Sequence, residues 1–266
     1  MARYDGASAA AFFDDYGERE WERFVDGRTP ATSLATHVHY LRRFVNAGDR
    51  VLDVGCGPGR FTIELASLGA RVVAADVSPG QIELHRGHVA AAGAESSVES
   101  RHVVDVLQLG CFADDSFDAV VCYGGVLSYV LERAPEALRE LVRVTRPGGH
   151  VLVSVMSLVG ATVSGSERVL EHARQHGATD VHAVVASGLL PSAASSGHLP
   201  MRLYRWRELD ELLLGAGTLV AASATGLFPN TEDSDGARLL ARLELDLGAE
   251  PGALDAGAHI LAVVRV

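Results

Sequence analysis

Asp53, Asp76 and Asp105 each stand at the end of a short apolar run, and the first is followed directly by Val54 and then Gly55-Cys-Gly-Pro-Gly59. Glycines at every second position let a backbone approach a ligand with no Cβ in the way. Asp76, which closes Arg71-Val-Val-Ala-Ala75, can accept both hydroxyls of an adenosine ribose. Asp105, in Val103-Val-Asp-Val-Leu107, is placed to receive an adenine amino group. Asp53 reads differently. A carboxylate inside the glycine motif is unwelcome to a diphosphate and suits a ligand with a cationic group. An ordinary cap or loop role explains any one of these acids alone. Three of them on one rim with a glycine loop point to a nucleoside-bearing cofactor.

Other chemistries have thinner support. No Gly-Lys-Ser/Thr follows the glycines, so a phosphate-loop nucleoside triphosphatase is excluded. The glycines and Asp76 approximate a nicotinamide-nucleotide fingerprint, but Asp53 and the stiff Pro58 do not belong to it. Ser128, Ser154 and Ser164 lack a nucleophile-elbow sequence. His172 and His176 form an i, i+4 pair near Glu171 and His182. They lie outside any His-Glu-x-x-His motif, in a helix that reads as a solvated face, and no metal is expected. Cys56, Cys111 and Cys122 have neither metal nor redox spacing and read as free thiols.

These residues need a scaffold, and the hydrophobic pattern supplies one. Strands are expected near 50–55, 71–75, 98–104, 118–122 and 149–155, with helices near 59–69, 79–92 and 134–145. Asp118-Ala-Val-Val-Cys122 is short and apolar without alternation, as a central parallel strand should be. Alternating strands and helices imply α/β layers with right-handed crossovers. Ahead of them, residues 9–25 carry Phe12, Phe13, Tyr16, Trp21 and Phe24 and read as one amphipathic helix, with a second over 33–45. Packing on the sheet edge and a lid over a pocket explain this leader equally well. Residues 157–200, rich in Gly, Ala, Ser and His, read as an insertion with one helix at 166–176 and a slack stretch at 191–197. A helix at 206–214, a strand at 218–224, a helix at 234–247 and a strand at 258–266 complete the chain. The pattern leaves the direction of the last two strands open.

The 266 residues, 48% hydrophobic, suffice for one large domain with a sizeable core. A net charge of −11 without a Lys/Arg cluster argues against a nucleic-acid partner. No secretory leader or membrane-length apolar run is seen, so a cytoplasmic protein, monomer or homodimer, is expected.

Val51-Leu-Asp-Val-Gly-Cys-Gly-Pro-Gly-Arg-Phe61, Asp76-Val-Ser-Pro-Gly-Gln81, Ser116-Phe-Asp-Ala-Val-Val121 and Leu141-Val-Arg-Val-Thr-Arg-Pro-Gly-Gly-His-Val-Leu152 together resemble the class I S-adenosylmethionine-dependent methyltransferases over residues 45–156. The resemblance implies a Rossmann-like αβα sandwich. Its seven-stranded, mostly parallel sheet would have the order 3-2-1-4-5-7-6 and one antiparallel strand. A helical lid over 1–45 and a substrate-side insertion over 157–205 would belong to the same domain. It also implies S-adenosylmethionine as cofactor and S-adenosylhomocysteine as product. Asp53, Gly55, Cys56 and Gly57 would hold the methionine moiety, and Asp76 with Val77 the ribose. Gln81 would line ribose and adenine, Asp105 with Val106 would meet the adenine edge, and Cys122 with Tyr123 would lie near the sulfonium.

Cys122-Tyr-Gly-Gly125 departs from the Asn/Asp-Pro-Pro-aromatic motif of enzymes that methylate nucleic-acid amino groups, and small-molecule methyltransferases are the closer subgroup. Methyl transfer to oxygen or nitrogen of a small molecule is then the expected activity. A C- or protein methyltransferase, or a relative with another reaction on this fold, is the alternative. Tyr16, Trp21 and Tyr204 are the candidate acceptor contacts. Tyr123, His37 and His39 are the candidate catalytic groups, a histidine having the natural pKa for taking a proton near neutrality. For both histidines a packing or surface role is the plainer reading.

Overall fold

The computed structural model describes residues 3–192 and 198–266; residues 193–197 of the expected slack stretch lie outside them. The chain runs α1 (Gly6–Tyr16), α2 (Arg19–Glu22), α3 (Ala31–Phe44), β1 (Arg50–Val54), α4 (Arg60–Ser67), β2 (Arg71–Asp76), α5 (Pro79–Ala91), β3 (Val98–Val103), β4 (Phe117–Cys122), α6 (Val126–Tyr129), α7 (Ala134–Val144) and β5 (Thr145–Met156). After β5 come α8 (Leu158–Ser164), α9 (Ser166–His176) and α10 (Ala178–Ser187), followed by a small hairpin of Leu189–Leu190 with Met201–Arg202. Then follow α11 (Trp206–Leu213), β6 (Thr218–Thr225), α12 (Ser234–Leu247) and β7 (His259–Arg265).

The main sheet has seven strands in the order β3-β2-β1-β4-β5-β7-β6. The first five are mutually parallel, and β7 runs antiparallel to both β5 and β6. This settles the direction that the alternation left open. Successive strand residues face opposite sides, and both sides are covered, which is why Ala119–Cys122 of β4 reads as an unbroken apolar run. Leu52, Val120 and Val153 pack under Leu138 and Leu141 of α7 and Leu209 of α11. Val51, Val121 and Leu152 pack under Leu41 of α3 and Leu65 of α4. On α7 the buried Ala134, Ala137, Leu138, Leu141 and Val144 recur at helical spacing.

Three expected boundaries shift. The leader is not one helix over 9–25: α1 stops at Gly17, whose φ of +53° suits glycine, and its N–H returns to the Phe13 carbonyl. Strand β5 begins at Thr145 rather than 149, pairing Thr145 with Phe117 before the register shifts near Arg146-Pro-Gly-Gly149. The insertion holds α8 and α10 as well as the expected helix over 166–176.

Several contacts clamp the leader onto α5. Ser78 caps that helix, its Oγ accepting from Gln81 N at 2.9 Å, and Pro79 occupies the first turn, where its missing N–H costs nothing. Asp14 Oδ1 accepts from Ser78 Oγ at 2.5 Å and from Gly80 N at 2.8 Å. Gln81 Nε2 donates to the carbonyls of Phe13 (2.9 Å) and Gly17 (3.1 Å). Glu18 meets His88 at 2.9 Å.

Candidate active site

A cleft of about 1320 Å³ opens at the C-terminal ends of β1, β2 and β4, between the core, the leader and the insertion. Ligands of open parallel sheets bind at this edge. Its floor begins where β1 ends. Gly55 N and Cys56 N both donate to the Ala75 carbonyl, at 2.7 and 3.1 Å, which ties the loop to β2. Gly55 has φ +69°, and a Cβ there would overlap a Val126 methyl, so only glycine fits. Gly57 N donates to Asp76 Oδ2 and Ser78 N to Asp76 Oδ1, both at 2.9 Å. The two carboxylate oxygens are thereby oriented from the backbone. Burial outweighs these bonds and pushes the Asp76 carboxyl up to about 6. Gly55, Cys56, Gly57, Asp76, Val77, Gln81, Val106 and Tyr123 all line the cleft.

Asp53 is turned away from the cleft, the opposite of an exposed partner for a cationic group. Its carboxylate accepts from Thr62 Oγ1 at 2.6 Å, and it is 2% exposed. Behind Thr62 the chain continues through His85 Nε2 (3.0 Å) to Arg101, whose Nε donates to His85 Nδ1 at 3.0 Å. Because Nδ1 accepts, Nε2 must carry the proton. Burial pushes Asp53 up to about 7 and His85 down to about 4. This relay braces the glycine loop from beneath.

The other candidates separate by which way the backbone aims them. Asp105 lies two residues past β3, where its carboxylate accepts from the Tyr4 hydroxyl (2.7 Å) and from Leu107 N (2.9 Å). Val104 and Val106 face the cleft in its place. Cys122 is fully buried in the core beneath β4, because the strand alternates and Tyr123 takes the cleft side. His37 and His39 cannot share a face, since residues two apart on a helix point in nearly opposite directions. His37 is buried, Nδ1 at 2.8 Å from the Ser33 carbonyl and its ring against Tyr123, whereas His39 is exposed beside Tyr40 and is corrected to a surface residue.

Tyr16 lines the cleft as expected. Trp21 does not: it stacks on His88 at 4.0 Å with the Arg60 guanidinium 3.6 Å from its ring centroid, so it docks the leader. Tyr204 is likewise corrected to core, 2% exposed beneath the insertion and packed with Leu209 and Leu213. The expected solvated face of α9 instead contributes Val169, Glu171 and His172 to the cleft, with His172 Nε2 2.6 Å from Asp180. Among the described residues no group of three His, Cys, Asp or Glu side chains is placed to hold a metal.

Sequence reasoning missed three contributors. His259, the first residue of β7, reaches the cleft wall; a lone histidine opening an apolar strand was its signal. Residues 226–230 form one rim, anchored by the fully buried Glu244, which accepts from Gly226 N (2.8 Å), Leu227 N (2.9 Å) and Thr36 Oγ1 (2.9 Å). Arg23 lines the cleft with its guanidinium 2.6 Å from Glu20. No helix among the described residues is long and apolar enough to cross a membrane.

Strand order and glycine loop together are those of the class I S-adenosylmethionine-dependent methyltransferase fold. Residues 51–149 match the family model described as a methyltransferase domain. The chain is similar to methyltransferase GfsG of Streptomyces halstedii, 34% identical over 174 residues that cover 63% of this chain and 61% of that protein. It is also similar to the ubiquinone biosynthesis O-methyltransferase of Xanthomonas oryzae pv. oryzae, 38% identical over 115 residues, 42% of this chain and 44% of the relative. The matches thus span less than two thirds of the length of these relatives. The fold resembles the crystal structure of magnesium protoporphyrin IX methyltransferase from Synechocystis with bound SAH, with a TM-score of 0.63, 16% identity, and 98% and 99% of the two chains covered.

Proposed function

We propose that this protein transfers a methyl group from S-adenosylmethionine to an oxygen or nitrogen atom of a small, partly apolar molecule. The observation that carries the reading is the cradle formed by Gly55, Gly57 and Asp76, open to the cleft and already oriented by backbone hydrogen bonds. The residues present fit the cofactor. Asp76 would take the ribose hydroxyls, Val77, Gln81 and Val106 would line ribose and adenine, and the backbone of 55–57 would receive the methionine portion. Asp105 serves the adenine end through the position of Val106, and Asp53 serves the loop through Thr62. When bound, the sulfonium supplies an already activated methyl group, so the protein's own task is alignment and exclusion of water.

Size supports a second ligand. Single small-molecule pockets run to roughly 300–1,000 Å³, and this cleft of about 1320 Å³ exceeds that range. Much of its lining is apolar, with Phe12 and Phe13 from the leader, Val181 and Val184 from α10, and Leu227 and Phe228 from the rim. An O-methyltransferase of ubiquinone biosynthesis among the relatives agrees with an apolar acceptor. Leader and insertion would then choose the acceptor while the core holds the cofactor. The test is incubation with S-adenosylmethionine and a panel of phenols, acids and amines, read by mass spectrometry. One product heavier by a methylene, formed with S-adenosylhomocysteine, is expected; intact cofactor alongside every acceptor class would oppose the reading.

A further inference from the structure

Three neighbouring residues beside the cleft each bury a polar atom without a protein partner: the Tyr123 hydroxyl, His37 Nε2 and His259 Nδ1. Tyr123 and His259 are wall residues, and the His37 ring lies against them, with centroids 4.6 Å and 6.0 Å away. Their exposures are 2%, 9% and 4% for Tyr123, His259 and His37. Folded proteins rarely leave such atoms unpaired. Three of them beside one cleft call for a ligand whose polar group completes them.

The tautomer limits what that group is. The Ser33 carbonyl 2.8 Å from His37 Nδ1 can only accept, so Nδ1 carries the proton and Nε2 presents a lone pair. Burial keeps both imidazoles neutral, His37 at about 4 and His259 at about 3. Arg23, paired with Glu20, is the charged side chain whose field reaches both rings. A carboxylate would bring no hydrogen for His37 Nε2, and an ammonium would enter the field of Arg23. A hydroxyl brings both a hydrogen to donate and lone pairs to accept. Phe61 packs on both His37 and Tyr123, Met156 pairs with His259 across the sheet, and Leu227 and Phe228 line the same cleft, which suits an apolar body on the same molecule.

We propose that Tyr123, His259 and His37 form the polar anchor for a hydroxyl group on the methyl acceptor, a neutral molecule whose remaining surface is apolar. The inference deepens the methyl-transfer reading and rests on it. Tyr123 and His259 would contact the hydroxyl from the wall, with His37 offering its lone pair from behind them.

The probes are 4-propylphenol and its methyl ether, 4-propylanisole, titrated by NMR into the full chain with and without saturating S-adenosylhomocysteine. The wild type should bind the phenol at least about tenfold more tightly, the order expected when an unpaired buried polar atom is completed. In His259→Phe and His37→Phe the preference should fall to within about twofold while S-adenosylhomocysteine affinity stays within about threefold. His259→Leu or His37→Leu is the apolar substitute if the matching phenylalanine variant fails to fold, and it too should lose most of the preference. Equal affinity for the two probes, no binding of the phenol, or a preference that survives the substitutions would overturn the anchor. Intact S-adenosylhomocysteine binding with no phenol preference removes the anchor alone. A phenol preference in a protein that binds no S-adenosylhomocysteine removes the methyl-transfer reading and leaves the hydroxyl site.

Discussion

The role proposed for Asp76 depends on its protonation state. Gly57 N and Ser78 N aim its oxygens, yet burial raises its pKa to about 6. On the proposed reading the ribose hydroxyls donate to the ionised form, so binding draws the group to its charged state. S-adenosylhomocysteine affinity should therefore be flat above about pH 7 and fall below about pH 6, by up to about tenfold per pH unit. Asp76→Asn should remove that acid limb. Asp76→Ala should weaken binding by about one to two orders of magnitude, since hydrogen bonds to a charged group contribute roughly 1.5–3 kcal/mol. Calorimetry across pH 5–8 checks both, and an acid limb that persists in Asp76→Asn would assign it to another group. The place of Asp76 beside the glycine loop was legible in the sequence, because it follows from the strand end. Cys122 and Tyr204 were misread because sequence proximity to a site does not say which face a side chain takes. His259 was illegible as a cleft residue because its neighbour His37 lies far away in the chain.

At the scale of elements, the leader is held by side chains of α5 rather than by a large apolar face. Asp14 caps the start of that helix from outside, and Gln81 takes two leader carbonyls. Asp14 is solvent-exposed, so its loss should cost about 1 kcal/mol rather than more. In Asp14→Ala, amide hydrogen exchange over residues 6–22 should quicken about fivefold while β1 and β4 keep their protection. Uniform change across the sheet would mean that the leader is part of the core's cooperative unit. Strands β2 and β4 were legible because buried strands demand apolar runs, here Val72–Ala75 and Ala119–Cys122, whereas β1 with Asp53 and β3 with Glu99 and Arg101 were read from the alternation of strands and helices around them. The break at Gly17 was hidden by aromatics that continue on both sides of it, and α8 and α10 by a composition of Gly, Ala, Ser and Val that favours no structure strongly.

For the molecule as a whole, the sheet fixes one edge of the cleft and later segments close the others. Glu244 illustrates the division: a single buried carboxylate ties the 226–227 backbone to Thr36 of α3, joining the rim to the leader side. That link was beyond sequence reasoning, because nothing local to residue 244 predicts a partner two hundred positions earlier. The central claim is that the cradle at Gly55, Gly57 and Asp76 is built for the nucleoside of S-adenosylmethionine and not for a diphosphate. Isothermal titration of the full chain with S-adenosylmethionine, S-adenosylhomocysteine, NAD and ATP tests it most directly. Saturable one-site binding of the first two, with no detectable heat from NAD or ATP, is the predicted result. Tight binding of NAD or ATP with no binding of S-adenosylmethionine would contradict it.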